Sequence, residues 1–91
     1  MTLYNANSTI IGYLQGDTVY DANNTRVGNI SGNFVYDAWN SLEGKIEDTR
    51  IYGKYSSLAG TLSGRTVYNA YSTIVGYCDS VKGAAAILLL L

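Results

Sequence analysis

The chain of 91 residues has no histidine and no proline, and it has a single cysteine, Cys78. Without histidine it lacks the commonest general base, the usual partner of a serine or cysteine nucleophile, and the commonest metal ligand. Without proline, no strand position is denied a ladder hydrogen bond. One cysteine excludes an internal disulfide. These absences argue against an enzyme and leave extended structure unhindered.

Charge is also scarce, because six Lys and Arg against seven Asp and Glu give a net charge of -1. The basic residues are scattered, so the sequence predicts no nucleic-acid partner and no electrostatic attraction to anionic lipid. Met1 begins a segment with neither the charged nor the long apolar region of a secretory signal. A cytoplasmic location is therefore the default expectation, with peripheral membrane attachment as an alternative.

The chain's main positive feature is a repeat of sixteen residues. Tyrosine keeps this step at Tyr4, Tyr20, Tyr36, Tyr52 and Tyr68, and glycine follows eight residues later at Gly12, Gly28, Gly44, Gly60 and Gly76. The repeats are 1-16, 17-32, 33-48, 49-64 and 65-80, followed by the non-repeated tail 81-91. A fixed period indicates one supersecondary unit stacked or closed into a ring, here within a single domain, 1-91.

The residue pattern of each repeat predicts two short strands separated by tight turns. In the second repeat, Thr18 to Ala22 and Thr25 to Ile30 are rich in β-branched and aromatic residues, while Asn23-Asn24 and the later Ser, Gly and Asn tolerate positive φ. A two-residue loop at Asn23-Asn24 would pair Ala22 with Thr25 and Tyr20 with Val27. The sequence thus predicts ten strands, and no helix before residue 81.

That pairing sorts the residues into two faces. The aliphatic and glycine face, which in the second repeat is Val19, Arg26, Gly28 and Ile30, is assigned to the interior. The tyrosines lie on the other face and are interpreted as structural. Five inward glycines at one level indicate a close approach by another part of the chain.

The tail is the natural candidate for that approach. Gly83 to Leu91 is apolar all round and rich in strong helix formers, and as a helix it would be about 13 Å long at 1.5 Å per residue. The prediction is an all-β, closed or nearly closed antiparallel barrel of ten short strands around this helix. The packing residues are predicted to be Gly12, Gly28, Gly44, Gly60, Gly76, Ile87, Leu88, Leu89 and Leu90.

The repeated Val19-Tyr20-Asp21-Ala22-Asn23 and Thr25-Arg26-Val27-Gly28-Asn29, with the closing segment Gly83 to Leu91, resemble the small prokaryotic β-flower proteins. The resemblance implies a shallow, pseudo-symmetric barrel of hairpins, related in shape to the Tubby-like barrel that encloses a hydrophobic helix. The chain departs from it in having five repeats where the named form has four-fold symmetry, and in mostly lacking Asn-Gly turns. The resemblance implies no activity.

Carboxylates supply the remaining candidates for chemistry. Glu43, Glu47 and Asp48 lie close together in sequence and are interpreted as a solvated edge broken by Lys45 and Arg50. A ring formed by Asn5, Asp21, Asp37 and Asn69 could bind calcium, but Asx side chains more often bond their own turns, so no metal, cofactor or catalytic residue is predicted. Cys78 is interpreted as a small buried hydrophobe rather than a thiol activated by Lys82.

Aromatic residues at three turns give the sharper hypothesis. Trp39, Tyr55 and Tyr71 stand where the first two repeats have Asn7 and Asn23. As neighbours on one rim they could bind a membrane interface, a sugar or a protein, or they could fold back and cover the rim. We take them as the candidate partner-binding residues.

The tail admits three interpretations. As a plug it makes the protein a non-enzymatic binding or structural module, which is the interpretation we favour. As a swapped element it would enter a neighbouring copy and drive self-association. As a lipid-binding segment it is too short to span a bilayer, since spanning needs about 20 apolar residues.

Overall fold

The computed structural model describes residues 1-91 as ten strands and one helix. The strands are β1 (Thr2–Asn5), β2 (Ile10–Gln15), β3 (Thr18–Asp21), β4 (Arg26–Ser31), β5 (Phe34–Asp37), β6 (Leu42–Glu47), β7 (Arg50–Gly53), β8 (Leu58–Ser63), β9 (Thr66–Asn69) and β10 (Ile74–Tyr77). The helix is α1 (Val81–Leu89). Each repeat contributes one short and one longer strand, except that the last repeat ends in the shorter β10.

The strands form a closed antiparallel barrel in which every neighbour in sequence is a neighbour in space. The circle is completed by β1 and β10, where Tyr4 pairs with Tyr77 and Asn5 with Gly76. The molecule measures 29 × 28 × 17 Å, so it is a shallow disc. The predicted barrel of ten strands with a short C-terminal helix is confirmed.

The two rims of the disc carry different turns. The long-turn rim, defined by residues 6-8, 22-24, 38-40, 54-56 and 70-72, has loops of three residues. In the second repeat Asn24 N donates to Asp21 O at 3.0 Å and Asn24 has a φ of 65°, as expected for a type I turn closed by a left-handed residue. The predicted two-residue loop at Asn23-Asn24 is therefore wrong.

The opposite, short-turn rim has the two-residue loops. Gln15 pairs with Thr18, and the loop between them opens on Gly16 with a φ of 61°. Gly32 and Gly64 repeat this conformation, while Asp48 adopts it with a side chain, at a φ of 56°. The prediction that Asn, Ser, Gly and Asp supply the positive φ angles is confirmed on both rims.

A β-bulge corrects the predicted pairing inside each repeat. Val19 pairs with Gly28, but Tyr20 pairs with Arg26 rather than with Val27, because the register shifts between Val19 and Tyr20. The extra residue, Val27, packs against the core, whereas Arg26 is exposed and bonds Asn29 on the outer face. The assignment of Arg26 and its equivalents to the interior is therefore wrong.

The same exchange recurs around the barrel. Residues equivalent to Arg26 are 40–42% exposed, and these are Ile10, Leu42, Leu58 and Ile74. Three of the residues equivalent to Val27 pack against the core, namely Ile11, Ala59 and Val75, while the third repeat has the half-buried Glu43 there. The bulge thus turns an aliphatic residue outward near the long-turn rim in four repeats, and Arg26 in the second.

Other inward assignments agree with the structure. The wall's buried side chains are Leu3, Leu14, Val19, Ile30, Val35, Ile46, Ile51, Val67 and Cys78. They surround α1, which begins earlier than the predicted Gly83 because Ser80 caps it and accepts a 3.2 Å hydrogen bond from Gly83 N. The helix ends at Leu89, and Leu91 N donates to Ala86 O at 2.9 Å.

Candidate functional site

The first half of α1 is narrow and lies where the barrel wall is bulky. Ala84, Ala85 and Ala86 are wholly buried, at 0% exposure. A Cβ placed on Gly83 would lie 3.0 Å from Leu3 Cδ2 and 3.1 Å from Cys78 Cβ. Small helix residues are therefore required at this level, because the wall's large side chains already fill the space.

The second half of α1 and the residues after it reverse that arrangement. Here the helix side chains are large and the wall presents the five glycines, which we call the glycine ring. A Cβ on Gly44 would lie 2.7 Å from Leu89 Cδ1, and one on Gly28 would lie 2.9 Å from Leu90 Cδ1. The complete set of contacts pairs Ile87 with Gly76, Leu88 with Gly60, Leu89 with Gly44, Leu90 with Gly28 and Leu91 with Gly12.

Glycine is required at these five positions for a second reason, which the sequence did not reveal. A Cβ on Gly44 would be only 2.1 Å from the backbone oxygen of Tyr52 in the adjoining repeat, and all five glycines have such an oxygen at 2.1–2.4 Å. The close backbone thus belongs to the neighbouring strand, and the tail approaches with side chains. The structure brings all nine predicted packing residues together, and it adds Leu91.

The Asn and Asp residues at the start of the long turns bond those turns. The Asp21 carboxylate accepts from Asn23 N at 2.8 Å and from Thr25 N at 3.0 Å. Equivalent pairs of bonds are made by Asn5, Asp37 and Asn69. In the fourth repeat Gly53 stands at this position and provides no such acceptor.

The acidic residues of the third repeat are dispersed. Glu47 lies 3.5 Å from Lys45 and Glu43 lies 3.9 Å from Lys54, so the two glutamates pair with different cations. Asp48 occupies the short turn with its positive φ. No group of three His, Cys, Asp or Glu side chains is placed to hold a metal ion.

Cys78 is wholly buried among the wall residues, and its Sγ donates to Ser80 O at 3.2 Å. Burial raises the pKa of the Cys78 thiol above its usual value. Lys82, the cation considered for activating it, instead binds Asp17 at 2.8 Å. Burial thus favours the neutral thiol over the thiolate.

Trp39, Tyr55 and Tyr71 form an arc of three consecutive turns on the long-turn rim, which we call the aromatic arc. Their exposed fractions are 85%, 83% and 89%. Their rings therefore do not fold back over the rim, which was one of the two sequence interpretations. The backbone beneath is fixed, since Trp39 N and Tyr71 N donate to Asp37 and Asn69.

The surroundings of the aromatic arc are mixed in polarity. Lys54 Nζ lies 5.5 Å from the centre of the Tyr55 ring, within cation–π range. A surface depression beside Trp39 is lined by Arg26, Glu43, Leu89 and Leu90, among others. The helix end is thus half-buried next to the arc and forms part of the same surface.

Two tyrosines outside the repeat period mark a further feature, which the sequence analysis missed. Tyr77 pairs with Tyr4 across the β10–β1 seam, and Tyr13 pairs with Tyr20 across the β2–β3 seam. A groove opens on the outer wall at each of these seams. The sequence did contain a signal. Tyr13 and Tyr77 are aromatic, whereas the equivalent residues of the other three repeats are Asn29, Lys45 and Thr61.

The chain's only helix is too short to cross a membrane. No curated protein and no solved structure matches the chain significantly. One family profile does match, that of the 5-fold beta-flower protein, over residues 1–90. The five repeats, which departed from the four-fold form, are thus the feature that this profile describes. On this match and on its barrel of five hairpins, the chain belongs to the five-fold β-flower family.

Proposed function

We propose that the protein is a non-enzymatic binding module whose contact surface is the aromatic arc and whose helix is a permanent internal plug. The observation that carries the proposal is the exposure of Trp39, Tyr55 and Tyr71, each above 80%, on three adjacent turns. Large rings with a polar atom are enriched at the centres of binding surfaces, and a turn has no folding need for them. Asn7 and Asn23 serve the same turns in the first two repeats.

The plug interpretation rests on the match between the two halves of α1 and the wall. Buried alanines face the bulky level, and the leucines face the glycine ring. A helix fitted at both levels contributes buried apolar surface to a small domain, which buries a smaller fraction of its surface than a larger domain does. Entry of the tail into a neighbouring copy is the alternative, and it would make self-association the function.

Attachment to a lipid surface is a second candidate, favoured by a specific observation. Each ring of the arc is followed three residues later by an exposed aliphatic residue, namely Leu42, Leu58 or Ile74. In the second repeat these two positions hold Asn23 and Arg26 instead. The arc is thus the outer part of an apolar strip, and Trp and Tyr are enriched where proteins meet the bilayer interface.

The first experiment compares the full chain with a version that ends at Ser80. Solution mass and thermal unfolding would be measured for both over a wide concentration range. The plug predicts a full chain that stays monomeric and a shortened chain that loses cooperative unfolding, because the core loses its central helix. A shortened chain that stays folded, with only the full chain assembling, would contradict the plug and support the swapped alternative.

The second experiment tests the aromatic arc. Trp39, Tyr55 and Tyr71 would be replaced together by asparagine, the residue at the equivalent positions 7 and 23. Flotation with vesicles of a zwitterionic phosphatidylcholine would be compared for the two proteins, with quenching of Trp39 fluorescence as a second signal for the parent chain. Flotation of the parent alone supports lipid as the partner, whereas equal flotation of both removes the arc from lipid binding.

A further inference from the structure

The outer wall of the barrel carries two grooves that are related by the repeat. One is lined by Tyr4, Ser8, Arg65 and Tyr77. The other is lined by Gln15, Tyr20 and Asn24. In the repeat, Tyr4 is equivalent to Tyr20 and Ser8 to Asn24, so both grooves run from a repeat tyrosine to the left-handed residue of the long turn.

The two grooves lie on the two sides of the first repeat. Their volumes are about 380 Å³ and 350 Å³, and both are open to solvent along the wall. The third depression, of about 400 Å³, lies on the long-turn rim beside Trp39, and no repeat tyrosine at the other three seams lines a groove on the outer wall. There Tyr36, Tyr52 and Tyr68 pair with Asn29, Lys45 and Thr61 instead of with a second ring. The two grooves therefore lie at the seams where tyrosine pairs with tyrosine; both rings line the β10–β1 groove, and Tyr20 alone lines the β2–β3 groove.

The polar side chains beside the groove tyrosines are either uncharged or paired with an opposite charge. The β2–β3 groove has the side-chain amides of Gln15 and Asn24, both exposed. The β10–β1 groove has the Ser8 hydroxyl and Arg65, and the Arg65 guanidinium is paired with Asp79. Amides, hydroxyls and a guanidinium offer several donors, and the amides and hydroxyls also accept. No unpaired charge lines either groove to attract an anion such as a nucleotide phosphate.

We propose that these two seam grooves are binding sites for neutral carbohydrate. A pyranose ring has an apolar C–H face that can stack on a tyrosine, and a rim of hydroxyls that pair with amides and hydroxyls. An open, shallow groove suits one or two sugar units of a longer chain. Two grooves flanking one hairpin can engage the same polysaccharide, which raises the avidity above that of either site.

This inference concerns the outer wall and does not depend on the aromatic arc. The test is a titration of isotopically labelled full-length protein, followed by two-dimensional ¹H–¹⁵N NMR, with cellohexaose, maltohexaose and chitohexaose. Each sugar would be raised to on the order of 10 mM, which detects sites with a Kd near 1 mM. The expected result is a saturable shift of the Tyr4, Ser8, Tyr20 and Asn24 amide signals by at least one of the sugars.

A matched variant converts one groove to the composition of a seam without a groove. Tyr13→Thr, Gln15→Ser and Asn24→Ser together reproduce the residues of the β8–β9 seam, which are Thr61, Ser63 and Ser72. The variant should weaken sugar binding at the β2–β3 groove more than tenfold and leave the β10–β1 groove unchanged. Asn40→Ser makes the same turn substitution at a turn that lines neither seam groove, and it should leave sugar binding at both seam grooves unchanged.

Three outcomes would overturn the proposal. The first is that none of the three sugars shifts the groove signals. The second is that the shifts are confined to Trp39 and its neighbours, which would assign any sugar binding to the aromatic arc. The third is that the triple variant binds as the parent does while retaining its fold, which the spread of its amide spectrum would report independently.

Discussion

The glycine ring and the tips of the long turns each occur once in every one of the five repeats. They differ in how much the residue type varies between repeats. At the level of the ring all five repeats have glycine, and every one meets a neighbouring carbonyl oxygen and a side chain from the tail. At the second residue of the long turn the repeats have Asn, Asn, Trp, Tyr and Tyr. The five repeats are thus identical at the glycine ring and variable at the turn tips.

The difference follows from what each position touches. The five glycines share one central helix, so a change in any one repeat must be accommodated by the same rigid element. The turn tips touch solvent, and their backbone is fixed by the residue two positions earlier, such as Asp37. A residue that is the same in all five repeats therefore indicates a packing requirement. An exposed residue that differs between repeats is a candidate for binding.

The largest effect should come from Gly44→Ala in the ring. The added methyl group would be 2.1 Å from Tyr52 O, a backbone atom that cannot rotate away. Overpacking typically costs about 1–3 kcal/mol, and this contact should fall at or above the upper end. Urea denaturation of the parent and the variant would measure the loss in the free energy of unfolding.

Gly53→Ala is the matched control, because it adds the same methyl group to a glycine of the same barrel. The nearest atom to that methyl would be Ser57 O at 3.7 Å, an ordinary contact. Since alanine restricts the unfolded chain, we expect a gain of about 0.4–1 kcal/mol. If both variants lose the same stability, the ring is not a packing requirement and the contrast with the rest of the barrel fails.

The next effect lies in the first residue of the long turns. Asp21→Ala should destabilise the protein by about 1–2 kcal/mol, because two backbone N–H groups lose a charged acceptor worth about 0.5–1.5 kcal/mol or more per bond. Gly53→Asp should do the reverse and gain about 1 kcal/mol by giving the fourth repeat the acceptor it lacks. Shifts of the urea midpoint in the same direction for both variants would contradict this account.

A gain similar to that of Gly53→Asp is expected at the short-turn rim. Asp48 is the one non-glycine residue among the positive-φ first positions of these two-residue loops. Asp48→Gly should stabilise the protein by roughly 1 kcal/mol, because a left-handed conformation costs about 1–2 kcal/mol with a Cβ and part of that gain is lost to unfolded-state entropy. Differential scanning calorimetry would show a raised Tm, and Asp17→Gly, at the next turn position of the first loop, should give no such rise.

The sequence was sufficient to predict the architecture. Each of the five repeats corresponds to one hairpin, and the apolar tail provides the helix that packs against the inward glycines. It was insufficient for the register, since Asn23-Asn24 suits both a two-residue and a three-residue loop. A local signal existed: an Asp or Asn three residues before the left-handed residue, as in Asp21 and Asn24, is typical of the longer turn. The bulge that exposes Arg26 depends on how β3 and β4 pair along their length. The local sequence pattern does not specify that pairing.

The exposure of the aromatic arc and the seam grooves were beyond sequence reasoning for another reason. Whether a ring at a turn folds back depends on whether the barrel mouth is already filled, and here the half-buried Leu89 and Leu90 occupy it. The grooves lie at seams where two tyrosines pair across neighbouring strands. Tyr13 and Tyr20 are neighbours only once the barrel register is known.

The smallest effect on stability should come from the aromatic arc itself, and it is the sharpest test of the contrast with the ring. Replacing Trp39, Tyr55 and Tyr71 by asparagine removes three rings that are more than 80% exposed. Such surface substitutions usually change the free energy of unfolding by less than about 0.5 kcal/mol each, in either direction, so we expect a small net change. Urea unfolding followed by far-ultraviolet circular dichroism would check this without relying on tryptophan. A loss comparable to that of Gly44→Ala would mean that the rings belong to the core, whereas an unchanged midpoint leaves binding as the reason for three large aromatic residues on adjacent turns.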